Sequence, residues 1–445
     1  MTDEVRSELR MPVRWHRGPV VAVGMVASAL LAAVGLALSR PDVVAIGLPL
    51  ALASAWALLR RPRTAEVDLA LHARGGAPED MGPADSFGAA VRGVIDVHAP
   101  ADLDWVQLAV DQGGRRAGLV DVPPGDAGVR TTTRPRHSGP VELLAVTARA
   151  IALDGAWASG VGPRVALEGS VAPARHDLGR LPLAPRLLGL HGAHDGSRPG
   201  AGGDFRDIHA FAPGDELRRI DWRATARAAR RPGELLVRRT DALSDSSAVV
   251  VLDTVDDLGS AVAAWGSGDP ERSGVTSLDL GREAALSIAA TAISAGDRVA
   301  FHSLAGGGAG MRSGSGARHL ARLSSAIAAT GAGGDGTRYR RSPVVPVGSI
   351  VFVLSTFFDG IAAQLASRWR ASGHAVVAVD TLPELDSVRL TPEQTVAMRT
   401  LLAERAEVLA ELQHTGIEVV RWVTDRDVGM RLAARRQQRM RAVRR

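Results

Sequence analysis

The sequence predicts a multidomain chain: an N-terminal transmembrane helical hairpin, a small β-sandwich, and a doubly wound α/β domain. Three observations predict it. Two long apolar stretches lie close together near the start. Short alternating segments broken by Gly, Pro and Asp follow them. After residue 240, apolar strand-like runs alternate with helix-like segments. The 445 residues leave room for two or three domains, and 46% hydrophobic content supplies core material.

Composition removes several chemistries. Every Lys/Arg-class residue is arginine, so no P-loop lysine or Schiff-base lysine exists. There is no cysteine, which excludes thiol nucleophiles, disulfides and thiolate zinc sites. No HExxH helix is present. A net charge of +5 over this length does not by itself imply nucleic acid.

Residues 1–17 read as a basic N-terminus and 18–60 as the hairpin. Gly18 to Leu38 carries no charge and is long enough, at 1.5 Å per residue, to cross roughly 30 Å of hydrocarbon. A turn with Pro41 follows. Val43 to Leu59, with Pro49 inside, is near the lower limit for a second span. Arg6, Arg10, Arg14 and Arg17 precede the pair and Arg60, Arg61 and Arg63 follow it, while the turn holds only Arg40 beside Asp42. The positive-inside rule predicts a multi-pass protein of the cytoplasmic membrane with both termini and the soluble domains in the cytoplasm. A cleaved signal peptide fits less well, because a second apolar stretch follows at once.

Residues 65–168 predict the sandwich. AEVDLAL, RGVIDVHA, DWVQLAV, AGLVDV, VRTTTR, VELLAVTARAIAL and PRVAL are spaced regularly, and several alternate apolar and polar residues. Residues 169–240 predict an extended connector, rich in Pro, Gly, Arg and His in its first half. His176, His191, His194 and His209 have no helical ligand spacing, so they do not read as a metal site. Residues 241–445 predict the α/β domain. AVVVLD, ending at Asp253, is the bare apolar run of a strand covered on both faces. DRVAFHSL, SIVFVLST, HAVVAVD and IEVVRWV are further strands, with helices between them. Thr391, Pro392 and Gln394 form an N-cap, a first-position proline and a capping box, and Gly416 ends that helix. An arginine-rich helix closes the chain. Its basic face is either solvated or laid on anionic lipid.

The segment from Phe211 to Asp241 concentrates charge around Trp222 just before AVVVLD. Trp222 is costly to expose, which predicts that it anchors this segment against the α/β domain. Asp215 and Asp221 lie among Arg218, Arg219, Arg223 and Arg227, the composition of a bidentate ion-pair network. A structural clasp and a partner-docking surface are both open readings.

PGDELRRIDWRATAR, Pro213 to Arg227, resembles the signature of a family of membrane-anchored bacterial proteins, the domain of unknown function fifty-eight. Gly202, Phe205, Pro213, Gly214, Asp215, Arg218, Ile220, Asp221, Trp222, Ala226 and Arg227 fit its pattern. The resemblance implies that the last domain is von Willebrand factor A-like. It implies no reaction. It implies an adaptor or scaffold that binds protein partners, a MoxR-type AAA+ ATPase and other membrane proteins, through Phe205, Pro213, Gly214, Asp215, Arg218, Asp221, Trp222 and Arg227. Such domains hold a divalent cation through Asp-x-Ser-x-Ser. Here the stretch is Asp253-Thr254-Val255-Asp256-Asp257. Val255 cannot ligate and Asp257 stands in the place of the second serine. With Thr337 and Asp359 as the distal groups, this is a degenerate Mg2+ site, the one cofactor the resemblance suggests. The alternative to the cation is that Asp253 caps its own turn. Two rival functions stay open: a hydrolase using Asp253 and Asp221, for which no nucleophile–base pair or metal motif emerges, and binding of anionic lipid or nucleic acid by the clusters at Arg227 to Arg231 and in the tail.

Overall fold

In the computed structural model the described residues are 5–60, 62–63, 66–75, 90–112, 115–133, 135–179, 181, 194–213, 215–231, 233–244, 246–265, 273–304, 310–333 and 342–422. Gly214, His191, Thr337 and the arginine-rich tail fall outside them. The chain divides into two compact units. One comprises residues 1–135 and 140–171; the other comprises 136–139 and 172–445.

The first unit begins with β1 (Val5–Pro12) and β2 (Trp15–Arg17), then α1 (Pro19–Ala37) and α2 (Pro41–Leu59). There follow β3 (Glu66–Gly75), β4 (Val91–Ala99), β5 (Trp105–Gln112), β6 (Arg115–Val122), β7 (Gly125–Thr133), β8 (Gly139–Ala152), β9 (Trp157–Ser159) and β10 (Val165–Val171). They form two sheets, ordered β1-β3-β4-β7 and β2-β9-β8-β5-β6, with β10 also on β8. One apolar cluster, including Leu69, Leu71, Ile95, Leu108 and Leu144, joins the inward faces. The basic N-terminal segment is therefore not only a flank: β1 pairs antiparallel with β3, and β2 with β9. Its alternation carries Met11, Val13 and Trp15 into the core.

Both α1 and α2 are long and apolar enough to cross a membrane. They leave Val23, Leu30, Leu36 and Leu52 exposed, as a lipid-facing hairpin would. Small residues let them meet: a Cβ on Gly24 would lie 2.5 Å from Ser54 Oγ, and one on Gly35 2.6 Å from Val44. Trp157 donates its indole N–H to the Ala57 carbonyl at 2.8 Å, and Trp15 to that of Arg63 at 2.8 Å, so the exit of α2 is held by the sandwich.

The second unit contains β11 (His194–Ala210), α3 (Trp222–Ala228), β12 (Leu236–Ser244), β13 (Ser247–Leu252) and α4 (Ser277–Ser294). It continues with β14 (Arg298–Ser303), β15 (Gly310–Gly314), α5 (Ala317–Ala328), β16 (Ile350–Ser355), α6 (Ile361–Ala371), β17 (Ala375–Asp380), α7 (Pro392–His414) and β18 (Glu418–Arg421). The main sheet runs β15-β14-β13-β16-β17-β18. All its pairings are parallel except the edge pair β14–β15. The run AVVVLD splits by parity: Val250 and Leu252 join the core with α4 and α5, Val249 and Val251 the core with α6. Residues read as an extended connector instead supply β11 and β12, which pair antiparallel and carry the signature between them.

Candidate functional site

The signature begins where β11 ends. Phe211 N–H donates to Leu235 O and Asp221 N–H to Leu236 O, both at 2.8 Å, so the loop is pinned to the start of β12. Asp215 closes the Pro213 turn by accepting from Ala212 N–H at 2.9 Å; His209 Nε2 lies 3.5 Å away. A single 3-10 turn at Leu217–Arg219 follows. Asp221 then caps α3, accepting from Ala224 N–H at 2.9 Å. Thr225 Oγ1 accepts from Leu236 N–H at 2.9 Å, and Glu234 accepts from the N–H groups of Arg230 and Arg231. Backbone and cap bonds, not packing, hold the shape.

The expected carboxylate–arginine network does not form around Asp215 and Asp221. Both acids are used on backbone N–H groups nearby. Arg218 and Arg219 pair instead with Glu216, at 2.6 and 3.2 Å, and this pairing holds the Glu216 carboxyl below its usual range. Arg223, Arg227 and Arg230 have no ion pair among the described residues. Trp222 does not anchor the segment either. It is 66% exposed, Leu217 is 69% exposed, and Phe205, Ile208 and Phe211 are also open. The Asp221 cap places Trp222 at the first helical position, and none of the seven helical residues is fully buried. Arg238 stacks over Phe205 at 5.4 Å. The result is an apolar and cationic surface on a short, well-tied element.

At the carboxyl edge of the sheet, Asp253 follows β13. Its Oδ2 accepts from Ser355 Oγ at 2.7 Å and its Oδ1 from Val255 N–H at 3.2 Å. Burial, reinforced by Asp359 and Asp256, pushes its carboxyl up to about 6, against the downward pull of the Ser355 bond. Asp256 is raised by burial and then by Asp359. Phe357 is buried with φ 59, a left-handed conformation that is strained for a bulky side chain. Its N–H reaches Ser355 Oγ at 2.9 Å, which holds the loop below Asp253.

Asp257 is not part of this group: it accepts from Leu278 N–H at 3.3 Å, at the start of α4. Asp359 accepts from Ile361 N–H at 3.0 Å, at the start of α6. Among the described residues no group of three or more His, Asp or Glu side chains could hold a metal ion. Of the four residues the resemblance suggested for Mg2+, Asp253 accepts from Ser355 and Val255, Asp257 from Leu278 N–H and Asp359 from Ile361 N–H, while Thr337 lies outside the described residues. Of the histidines, His176 pairs with Glu283 at 2.9 Å, which raises its pKa above the ordinary value.

Residues 207–405 match the family described as "Protein of unknown function DUF58". The match begins in β11, spans the signature, and ends in α7. No curated protein matches the chain. Among solved structures, a family two carbohydrate esterase from Clostridium thermocellum, in complex with cellohexaose, aligns at 11% identity. The alignment covers 82% of this chain and 96% of that one, with a TM-score of 0.17. A score that low carries no argument about fold or function.

Proposed function

We propose that the protein is a membrane-anchored scaffold whose signature docks a protein partner. The observation that carries this reading is Trp222, exposed with Leu217 near Arg223 and Arg227, which have no ion pair among the described residues, on a loop fixed by its own backbone bonds. Exposed aromatic and arginine side chains on a rigid element are the usual anchors of an interface, and their arrangement suits a partner with an apolar pocket rimmed by acids. The resemblance supplies the partner: a MoxR-type AAA+ ATPase, with other membrane proteins as clients. The main sheet, parallel with one antiparallel edge strand, supports the von Willebrand A-like reading. The arginines flanking the hairpin support cytoplasmic soluble domains.

Capture from native membranes tests the proposal. Wild type is compared with Asp221→Ala/Arg227→Ala, both shown to be folded. Recovery of an AAA+ ATPase by wild type and its loss in the variant are expected; equal recovery returns the signature to a structural role. Arg223 and Arg227, without an ion pair among the described residues, also favour an anionic ligand, lipid or nucleic acid. That reading predicts capture that weakens steeply with salt.

A further inference from the structure

The start of α4 assembles three side chains far apart in sequence. Asp279 is fully buried, and both its oxygens accept. Oδ1 takes Ser138 N–H at 2.8 Å and Ser138 Oγ–H at 3.1 Å. Oδ2 takes Thr276 N–H at 3.1 Å, Thr276 Oγ–H at 3.2 Å, and His137 Nδ1 at 2.7 Å. Arg282 adds a cation 3.7 Å from Oδ1. A carboxylate surrounded by donors is an acceptor only, so His137 gives it the Nδ1 proton, and in the neutral imidazole the lone pair is then on Nε2. That nitrogen faces Ser273 Oγ at 3.5 Å. The Ser273 hydroxyl also donates to the Gly274 carbonyl at 3.3 Å, so it must turn toward Nε2 and the contact must shorten for proton transfer.

Ser273 is held in place. Ala261 N–H donates to its carbonyl at 3.0 Å, and Ser260 N–H to the carbonyl of Val275 at 2.7 Å. Gly259 and Gly274 permit this approach. A Cβ on Gly259 would lie 2.2 Å from Ser273 O, and Gly274 has φ +67. A helix cap alone needs only Thr276 and Asp279. It does not need an imidazole brought from residue 137, with its second nitrogen turned to a half-exposed serine.

We infer that Ser273, His137 and Asp279 form a nucleophile–base–orienter set able to hydrolyse a carboxylic ester. Asp279 is the positioning residue that fixes the imidazole tautomer and stabilises the imidazolium. Ser273 Oγ bonds to the acyl carbon as its proton passes to His137 Nε2. The carbon–alkoxide bond breaks, and the leaving alcohol takes that proton. Water then attacks the acyl-serine, giving its proton to Nε2. The acid departs and Ser273 recovers its proton, so ester and water become acid and alcohol. The set is separate from the signature and does not depend on the docking proposal.

The test uses the purified full chain in detergent with a biotinylated alkyl fluorophosphonate, which loses fluoride on bonding to an activated serine. Peptide mapping should find one phosphonyl group, on Ser273, and none on Ser273→Ala. His137→Ala, folded by circular dichroism, should label about 10²–10⁴-fold more slowly, the usual contribution of a general base. The wild-type adduct alone keeps the inference falsifiable if that variant misfolds. Absence of an adduct on Ser273 in folded wild type overturns the proposal, as does labelling that His137→Ala leaves unchanged.

Discussion

The signature and the start of α4 are both dense in charge, yet they treat it in opposite ways. In the signature, Glu216 pairs with arginines two and three residues away, in solvent, and Asp221 caps its own helix. Such exposed pairs contribute about 0–1 kcal/mol each. At α4, Asp279, Arg282 and Glu283 are buried, and their partners come from afar. Arg282 donates to the Thr330 and Ser138 carbonyls, and Glu283 receives His176 and the Trp422 indole. Local pairing leaves a surface able to bind something else. Distant pairing builds a centre that cannot be disturbed cheaply.

The largest expected effect breaks that centre. Asp279→Ala removes the acceptor from five donors and leaves Arg282 buried beside a hole, which should cost about 3–5 kcal/mol. Denaturant unfolding of the full chain in detergent checks it. Next comes Asp253, less enclosed than Asp279 and with no ion pair to a cation among the described residues. Its carboxyl rises from 3.8 to about 6 in the folded state, so native Asp253 favours the protonated form. The stability this brings is complete below 3.8 and is lost as pH rises through about 6. The loss amounts to roughly 3 kcal/mol, and Asp253→Asn should flatten the melting temperature across that window.

The signature should respond less in stability. Asp221→Ala deletes one cap, worth about 1 kcal/mol of local order. Exchange of the α3 amide protons should quicken about fivefold while the global melt barely moves. Smallest is Trp222→Ala, within about 0.5 kcal/mol on unfolding because the ring packs on little. A large loss of stability there would erase the contrast between the two regions and restore the clasp.

What the sequence announced was local. The AVVVLD strand, the capping box at Thr391 and the two apolar helices each declare themselves within a few residues. The alternation from Leu9 through Met11 and Val13 to Trp15 was a legible strand signal, obscured by the arginines that suggested only a membrane flank. The exposure of Trp222 was not legible, since hydrophobicity states a cost and not where the chain bears it. The approach of His137 to Ser273 and Asp279 spans about a third of the chain and has no local trace.

In the proposed interface Trp222 is the docking anchor, open to solvent until a partner covers it. Hydroxyl-radical footprinting of its peptide, in the purified chain and in native membranes, tests this directly. Ready oxidation when purified, with protection in native membranes that Arg227→Ala abolishes, is the predicted result. Equal oxidation in both settings would contradict a docked partner, and protection in the purified chain itself would contradict the exposed signature.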